Sequence, residues 1–305
     1  MAQETLAPQT VDTEAWSARA AASFWRRLMR NRLGMASLMF IVCVVLAATL
    51  GLPAYGVGPA DTDFNAINQL PNLRHPLGTD RLGHDTLARV LAGLRVSLLV
   101  ATVVELINIL LGATLGLLAG YFGGLVDTLI ARVADVFFAF PGLLLAILVA
   151  AVFGPWVTEH YGSTARLMLV AASISLVGWP LMARYVRGQT MSLRERDFVL
   201  AARALGISEG GILQRHILPN VAGLVITAAT LDVINAIIGE ATLSLLGLGI
   251  QSPDTSIGKM IVEAAPFLAQ NWFLVFVPGA TLTLLVLAFS FFGDALRDAF
   301  DPSGR

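Results

Sequence analysis

Residues 197 to 220 read Asp-Phe-Val-Leu-Ala-Ala-Arg-Ala-Leu-Gly-Ile-Ser-Glu-Gly-Gly-Ile-Leu-Gln-Arg-His-Ile-Leu-Pro-Asn. With Asp197, Arg203, Glu209 and Arg215 spread through it, this stretch cannot cross lipid. Asp197 can cap a short helix over Phe198 to Leu205, and Gly206 suits the left-handed position that ends it. Ser208 with Glu209 can open a second helix that Pro219 confines. The product is a compact helix-turn-helix knob, and the sequence around it places that knob on a membrane protein.

Of the 305 residues, 56% are hydrophobic and 13% charged, at a mean hydropathy of +0.74, too little polar surface to coat a soluble globule of this size. A net charge of −1 argues against nucleic acid as a partner, which would need a basic face. Cys43, the one cysteine, lies in an apolar run, so neither a disulfide framework nor a thiolate metal cluster is available and a packing role is expected. Gly258-Lys259 is followed by Met260, and Pro253 stands where a phosphate-binding loop needs its first glycine, so the chain does not hold ATP by that route. There is no Gly-x-Ser-x-Gly elbow and no His-Glu-x-x-His pair, and His75, His84, His160 and His216 are scattered. No catalytic, cofactor-binding or metal-binding set is expected.

Six apolar runs have spanning length, roughly 33–53, 96–121, 133–153, 166–184, 221–246 and 272–293. The predicted fold is an all-α membrane protein with six transmembrane helices. An even count puts both termini on one side, and the arginines select the cytoplasmic side. That choice gathers Arg19, Arg26, Arg27, Arg30, Arg32, Arg132, Arg184, Arg187, Arg194, Arg196, Arg203, Arg215, Arg297 and Arg305 inside. Only Arg74, Arg81, Arg89, Arg95, Arg166 and Lys259 are left outside. The predicted organisation is a cytoplasmic tail over 1–32 ending in an interfacial aromatic and basic cluster, a first transmembrane helix over 33–53 and an extracytoplasmic loop over 54–95. A five-helix core over 96–293 carries a cytoplasmic loop at 184–220, and a cytoplasmic tail covers 294–305. A cleavable signal peptide is rejected, since it would have a shorter leader and a shorter apolar core. Pro141 and Pro278 are expected to kink the third and sixth helices.

Gly112, Gly116, Gly120 and Gly124 recur every four residues, a face of bare backbone against which another helix can close. Polar residues within the apolar runs are few: Glu105, Asn108, Asp232, Asn235 and Glu240. An ionised group at mid-bilayer costs about 2.5 to 3.5 kcal/mol on insertion scales, so such groups face a cavity or a partner. Asp232, Asn235 and Gly239 share one helical face. Glu105, Asn108, Asp232 and Asn235 are therefore candidates for lining a hydrated path, with interhelical hydrogen bonding as the other reading; Glu240 is expected near the outer headgroups. Glu105 and Asp232 also keep open an ion-coupled secondary transporter or channel subunit, which needs carboxylates near the midplane. In the outer loop, His75-Pro-Leu-Gly-Thr-Asp80-Arg-Leu-Gly-His84-Asp85 gathers two histidines and carboxylates, but its turns are not expected to present an i, i+4 ligand pair.

Four ordered stretches resemble one family. The spacing of Ala201-Ala202, Gly206 and His216-Ile217-Leu218-Pro219 resembles the cytoplasmic coupling motif of the transmembrane subunits of ATP-binding cassette importers. The His75-to-Asp80 segment, Leu243-Ser-Leu-Leu-Gly-Leu-Gly249 and Leu296-Arg-Asp-Ala-Phe-Asp-Pro302 resemble the C-type permease subunits of peptide and nickel importers. His84 stands where that family usually has arginine, Ile257 where tryptophan is common, and Leu200 where other importers have an acidic residue. The resemblance implies a type I importer permease fold in a prokaryotic inner membrane. It implies a homologous B-type permease partner, two ATP-binding subunits or domains that hold ATP and magnesium, and an extracytoplasmic peptide-binding protein. By the same resemblance Leu200, Ala201, Ala202, Arg203 and Gly206 dock the ATPase, while His216, Leu218 and Pro219 anchor the knob.

Overall fold

The structure, a computed structural model, describes residues 24–300. The rest of the two tails, with Arg19, Pro302 and Arg305, lies outside the described residues. Among the described residues the long apolar runs are helical, as they must be where no water is available to satisfy backbone groups. In order, α1 is Arg32–Tyr55, α2 is Thr86–Phe122 and α3 is Gly124–Phe138. One helical stretch, Gly142–Arg194, follows, then α6 at Asp197–Ala204, α7 at Glu209–Leu245, α8 at Ile257–Ala264 and α9 at Phe273–Phe300.

Five of these stretches are long and apolar enough to cross a membrane. The 53 residues of Gly142–Arg194 would make a rod about 80 Å long, against a hydrocarbon layer of about 30 Å. Gly162, at φ 78° and ψ −171°, breaks it. A Cβ on Gly142 would strike Val177, and one on Gly154 would strike Arg166. These contacts lay the halves side by side and antiparallel, so 142–161 is α4 and 163–194 is α5. Counted this way, six helices have spanning length.

Several boundaries differ from the expectation. The third apolar run straddles a break, because Pro141 separates α3 from α4 instead of kinking one helix. Helix α2 begins ten residues before its apolar run, where the Asp85 side chain accepts the Ala88 amide at 2.9 Å. Helix α5 runs ten residues past its apolar run, to Arg194. Pro219 does not confine a second short helix. A π turn over Leu213–Ile217 carries the helix through the proline, widening the ladder where the proline has no N–H to give. A second π turn occupies Asn108–Ala113 within α2. Cys43 is exposed on α1 and is not a packing residue.

The glycine ladder sets the centre of the bundle. A Cβ on Gly112, Gly116 or Gly120 would lie 2.6, 2.5 or 2.6 Å from the carbonyl oxygen of Trp179, Ala183 or Arg187. The constant offset makes α2 and α5 parallel and nearly backbone to backbone. Gly124 does not belong to the ladder: it has φ 54°, opens α3 and has open space around it. At the other side of the bundle, Gly34 of α1 packs on Ala295 of α9, and the rings of Phe24 and Phe300 are 4.5 Å apart. Both described ends of the chain therefore lie at one end of the bundle, the end that carries α6.

We expect Gly116→Leu to force α2 and α5 apart and to cost upward of about 2 kcal/mol. Thermal unfolding in detergent should show a clear fall in Tm, whereas Gly188→Ala on α5, where a Cβ meets nothing within 4 Å, should leave it unchanged.

Candidate coupling surface and translocation cavity

The knob forms largely as expected, with one change of cap. Asp197 is the first residue of α6, and Arg196 precedes it as an uncapped N-cap, so the Asp197 carboxylate favours the helix through its dipole. Gly206 has φ +77°, and the Ser208 hydroxyl accepts the Gly211 amide at 3.3 Å. Val199, Ala202, Ile212 and Ile217 turn inward and pack with Met182, Val186 and Val221. Ala202 is 4% exposed, so it belongs to the knob's own core and not to a docking face; its neighbours Leu200, Ala201, Arg203 and Gly206 are exposed, and Leu205 is 81% exposed. Leu218 and Pro219 are also exposed and His216 only half-buried, so the inward residues named above, not these three, anchor the knob.

Side chains from the end of α2 hold the knob to the bundle. The Tyr121 hydroxyl donates to Glu209, Arg203 donates to the Tyr121 oxygen at 3.3 Å and pairs with Glu209 at 3.7 Å, and Arg194 donates to the Gly120 carbonyl at 3.2 Å. The arginines of α5 are likewise used within the chain. Arg187 makes a two-armed pair with Asp127 of α3, and Arg184 pairs with Asp135 at 3.5 Å while lying over the Phe138 ring. The hydrogen bond from Arg187 holds the Asp127 carboxyl below the usual carboxylate range.

The polar residues of the apolar runs separate into two groups. Glu240 is fully buried, accepts from Ser97 at 3.2 Å and Ser244 at 2.7 Å, and is not interfacial. The other four converge. Asn108 donates to Asp232 at 3.0 Å, Asn235 donates to the same carboxylate at 2.9 Å, and Glu105 lies against Asp232. Asn108 fits because Gly178 of α5 has no Cβ; one there would strike the Asn108 amide. Asp232 and Asn235 line a cavity of about 1210 Å³ that extends along α7 past Thr227 to Asn220, Arg27 and Arg297 at the knob end. Gly239 faces Ile174 across an ordinary contact and takes no part in it.

At the opposite end of the bundle the His75-to-Asp85 segment is a folded staple. Asp85 accepts from Tyr55 at 2.8 Å and stands 2.8 Å from the His75 ring. Asp80 accepts the Leu82 and His84 amides, meets the His84 ring at i, i+4, which sequence had not led us to expect, and pairs with Arg89, itself paired with Glu263 of α8. Burial pushes the Asp80 carboxyl up, but the His84 hydrogen bonds and the Arg89 charge outweigh it and hold it below its ordinary value. Arg166 is buried and donates to the Leu248 carbonyl at 2.6 Å, fastening the α4–α5 turn to the loop after α7.

Residues 112–305 match the family described as binding-protein-dependent transport system inner membrane component, and residues 21–71 match the N-terminal transmembrane domain of oligopeptide transport permease C. An oligopeptide transport system permease protein of Mycobacterium tuberculosis is 39% identical over 281 residues, covering 92% of this chain and 94% of the relative. A dipeptide transport system permease protein of Alkalihalophilus pseudofirmus is 37% identical over 286 residues, covering 92% and 91%. Among solved structures, the MetNI methionine ABC transporter in an inward-facing conformation matches in fold with a TM-score of 0.53 at 19% identity, over 68% of this chain and 94% of that chain.

Because the Asp80 value is lowered, its contribution to the staple is complete above the unfolded value near pH 4 and is lost as pH falls through the native value. Asp80→Asn should raise amide exchange at Leu82 and His84 at neutral pH, and the difference from wild type should vanish in acid.

Proposed function

This chain belongs to the binding-protein-dependent transport system inner membrane components, and from that premise we propose that it is half of the translocation path of an ATP-driven peptide importer. It is a multi-pass permease of the prokaryotic cytoplasmic membrane, and permeases of such importers work with ATPase and other permease partners. In our reading the other half of the path is a homologous B-type permease, two ATP-binding subunits or domains hold ATP and magnesium, and an extracytoplasmic binding protein delivers the peptide. The knob end of the bundle faces the cytoplasm in this reading, where its arginines favour retention, and the two described ends of the chain lie at that end. The matched families lend no support to the ion-coupled alternative.

The observation that carries the reading is the knob itself. A polar helical elbow stands between α5 and α7, presents Leu200, Ala201, Arg203, Leu205 and Gly206 outward, and is fixed from beneath by its own core. A partner that binds this face and moves between two arrangements displaces α5 and α7 as rigid bodies, and differential binding in the two arrangements is what shifts the permease between its states. The hydrophobic seam to the bundle passes load to the cavity wall without requiring any chemistry in this chain.

Gly206→Val places a branched side chain at φ +77° and distorts the elbow without touching the bundle. In the assembled transporter we expect normal membrane insertion and continued ATP hydrolysis, with ATP-dependent uptake reduced about tenfold or more. Unchanged uptake would count against the coupling assignment.

A further inference from the structure

Residues 24–30 form a short helix ahead of α1. Asn31 ends it in extended backbone, at φ −81° and ψ 96°, and the Asn31 side chain accepts the Gly34 amide at 2.9 Å to open α1. On one side of the short helix Phe24 and Leu28, four residues apart, pack on Leu296, Ala299 and Phe300 of α9. The Phe300 ring sits against Gly223 of α7, and Gly34 of α1 against Ala295. The short helix therefore crosses the end of α9 from α1 toward α7, and its Phe24 and Trp25 wall the knob end of the cavity.

The remaining faces look outward. Trp25 and Met29, 56% and 61% exposed, form an apolar flank, and Arg26 and Arg30 form an exposed basic face beside it, each pair at i, i+4 spacing. Arg32, also exposed, follows at the first position of α1. Among the described residues Arg26, Arg30 and Arg32 have no hydrogen bond or ion pair, whereas Arg184, Arg187, Arg194 and Arg203 at the same end of the bundle all find acceptors within the chain. Depth is set by α1, whose 24 residues make about 36 Å of helix against a hydrocarbon layer of about 30 Å. A helix that ends just before α1 and leans on the last residues of α9 lies where acyl chains give way to phosphates.

We propose that Arg26, Arg30 and Arg32, with the Trp25 and Met29 flank, form a binding surface for anionic phospholipids of the leaflet at the knob end. The guanidinium groups take the lipid phosphates, and the indole sits among the upper acyl carbons. Phosphatidylcholine carries the same phosphate but cancels its charge with its own ammonium, so net charge selects the lipid. Each arginine held near an anionic surface is worth about fivefold in partitioning. The bound lipids hold in place the helix that walls the cavity mouth. The proposal needs the chain to stand in a bilayer and does not depend on what it carries.

The test uses the complete transporter, with its partner permease and ATPases, in nanodiscs of equimolar phosphatidylglycerol and phosphatidylcholine. Bromine is placed on the acyl chains of one lipid or of the other, and Trp25 fluorescence is read as the difference between wild type and Trp25→Phe. Brominated phosphatidylglycerol should quench that signal about twofold or more as strongly as brominated phosphatidylcholine. Arg26→Gln combined with Arg30→Gln should bring the two lipids to equal quenching, whereas Arg26→Lys combined with Arg30→Lys should keep the preference. Inorganic phosphate, compared with chloride at the same ionic strength, should leave it unchanged. Equal quenching by the two lipids in wild type overturns the anionic surface. Quenching by neither, the result if an ATPase subunit covers the helix, overturns it as well. So does loss of the preference in inorganic phosphate alone, which marks a site for the ion. The comparison of wild type with the double glutamine variant can be made on total tryptophan emission, so a Trp25→Phe chain that fails to assemble does not remove the test.

Discussion

The bundle depends on one seam, where the bare backbone of Gly112, Gly116 and Gly120 lies against the carbonyls of Trp179, Ala183 and Arg187. In lipid, apolar side chains gain little by leaving one hydrocarbon surface for another, so two helices hold together through close packing. This seam supplies it, and both functional regions are set by it. Above the ladder, α2 places Glu105 and Asn108 beside Asp232, with Asn108 in the gap left by Gly178. Below it, α2 ends at Tyr121, which clamps Glu209 and Arg203 of the knob. The Asp232 cluster and the knob thus sit at two ends of one closely packed pair, α2 and α5.

Buried polar groups divide by how they are satisfied. Glu240 holds α7 to α2 through Ser97, whose hydroxyl also accepts the Ile257 amide at 3.3 Å, so a carboxyl within an apolar helix serves as a structural knot. Arg166 does the same for the α4–α5 turn through the Leu248 carbonyl. His75 and Asp85, which by composition could have been ligands for a metal, are engaged with each other and with Tyr55. Glu105 and Asn108 are buried as well and are engaged through one partner, Asn108 donating to Asp232 and Glu105 lying against the same carboxylate.

Hydropathy located the part of each helix that sits in lipid and missed the overhangs. The first and last helices fell within a few residues of their apolar runs at the ends that hydropathy controls. Polar extensions such as Thr86 to Arg95 and Tyr185 to Arg194 are helical because caps and packing hold them, which no apolar count registers. The break at Pro141 was invisible for the opposite reason: apolar residues continue on both sides of it. Positive φ at Gly206 and the Ser208 cap were legible because each is a local backbone requirement. Which way Ala202 or Leu218 faces was not, since a short helix between two long ones takes its rotation from them. The convergence of Glu105 and Asn108 on Asp232 joins residues more than a hundred apart, and only the parallel pairing of α2 with α5 and the path of α7 bring them together.

The π turn over Leu213–Ile217 has an angular consequence for everything downstream of it. Such a turn holds one residue more than an α-helical turn, so it sets the phase of the following helix back by about 100°. Asp232 points toward Asn108 because of that added residue. A single deletion there would relax the segment to ordinary helix and swing the carboxylate toward a different neighbour. The elbow and the acidic pair are therefore geared through one irregular turn, which sets the heading of a side chain roughly four turns away.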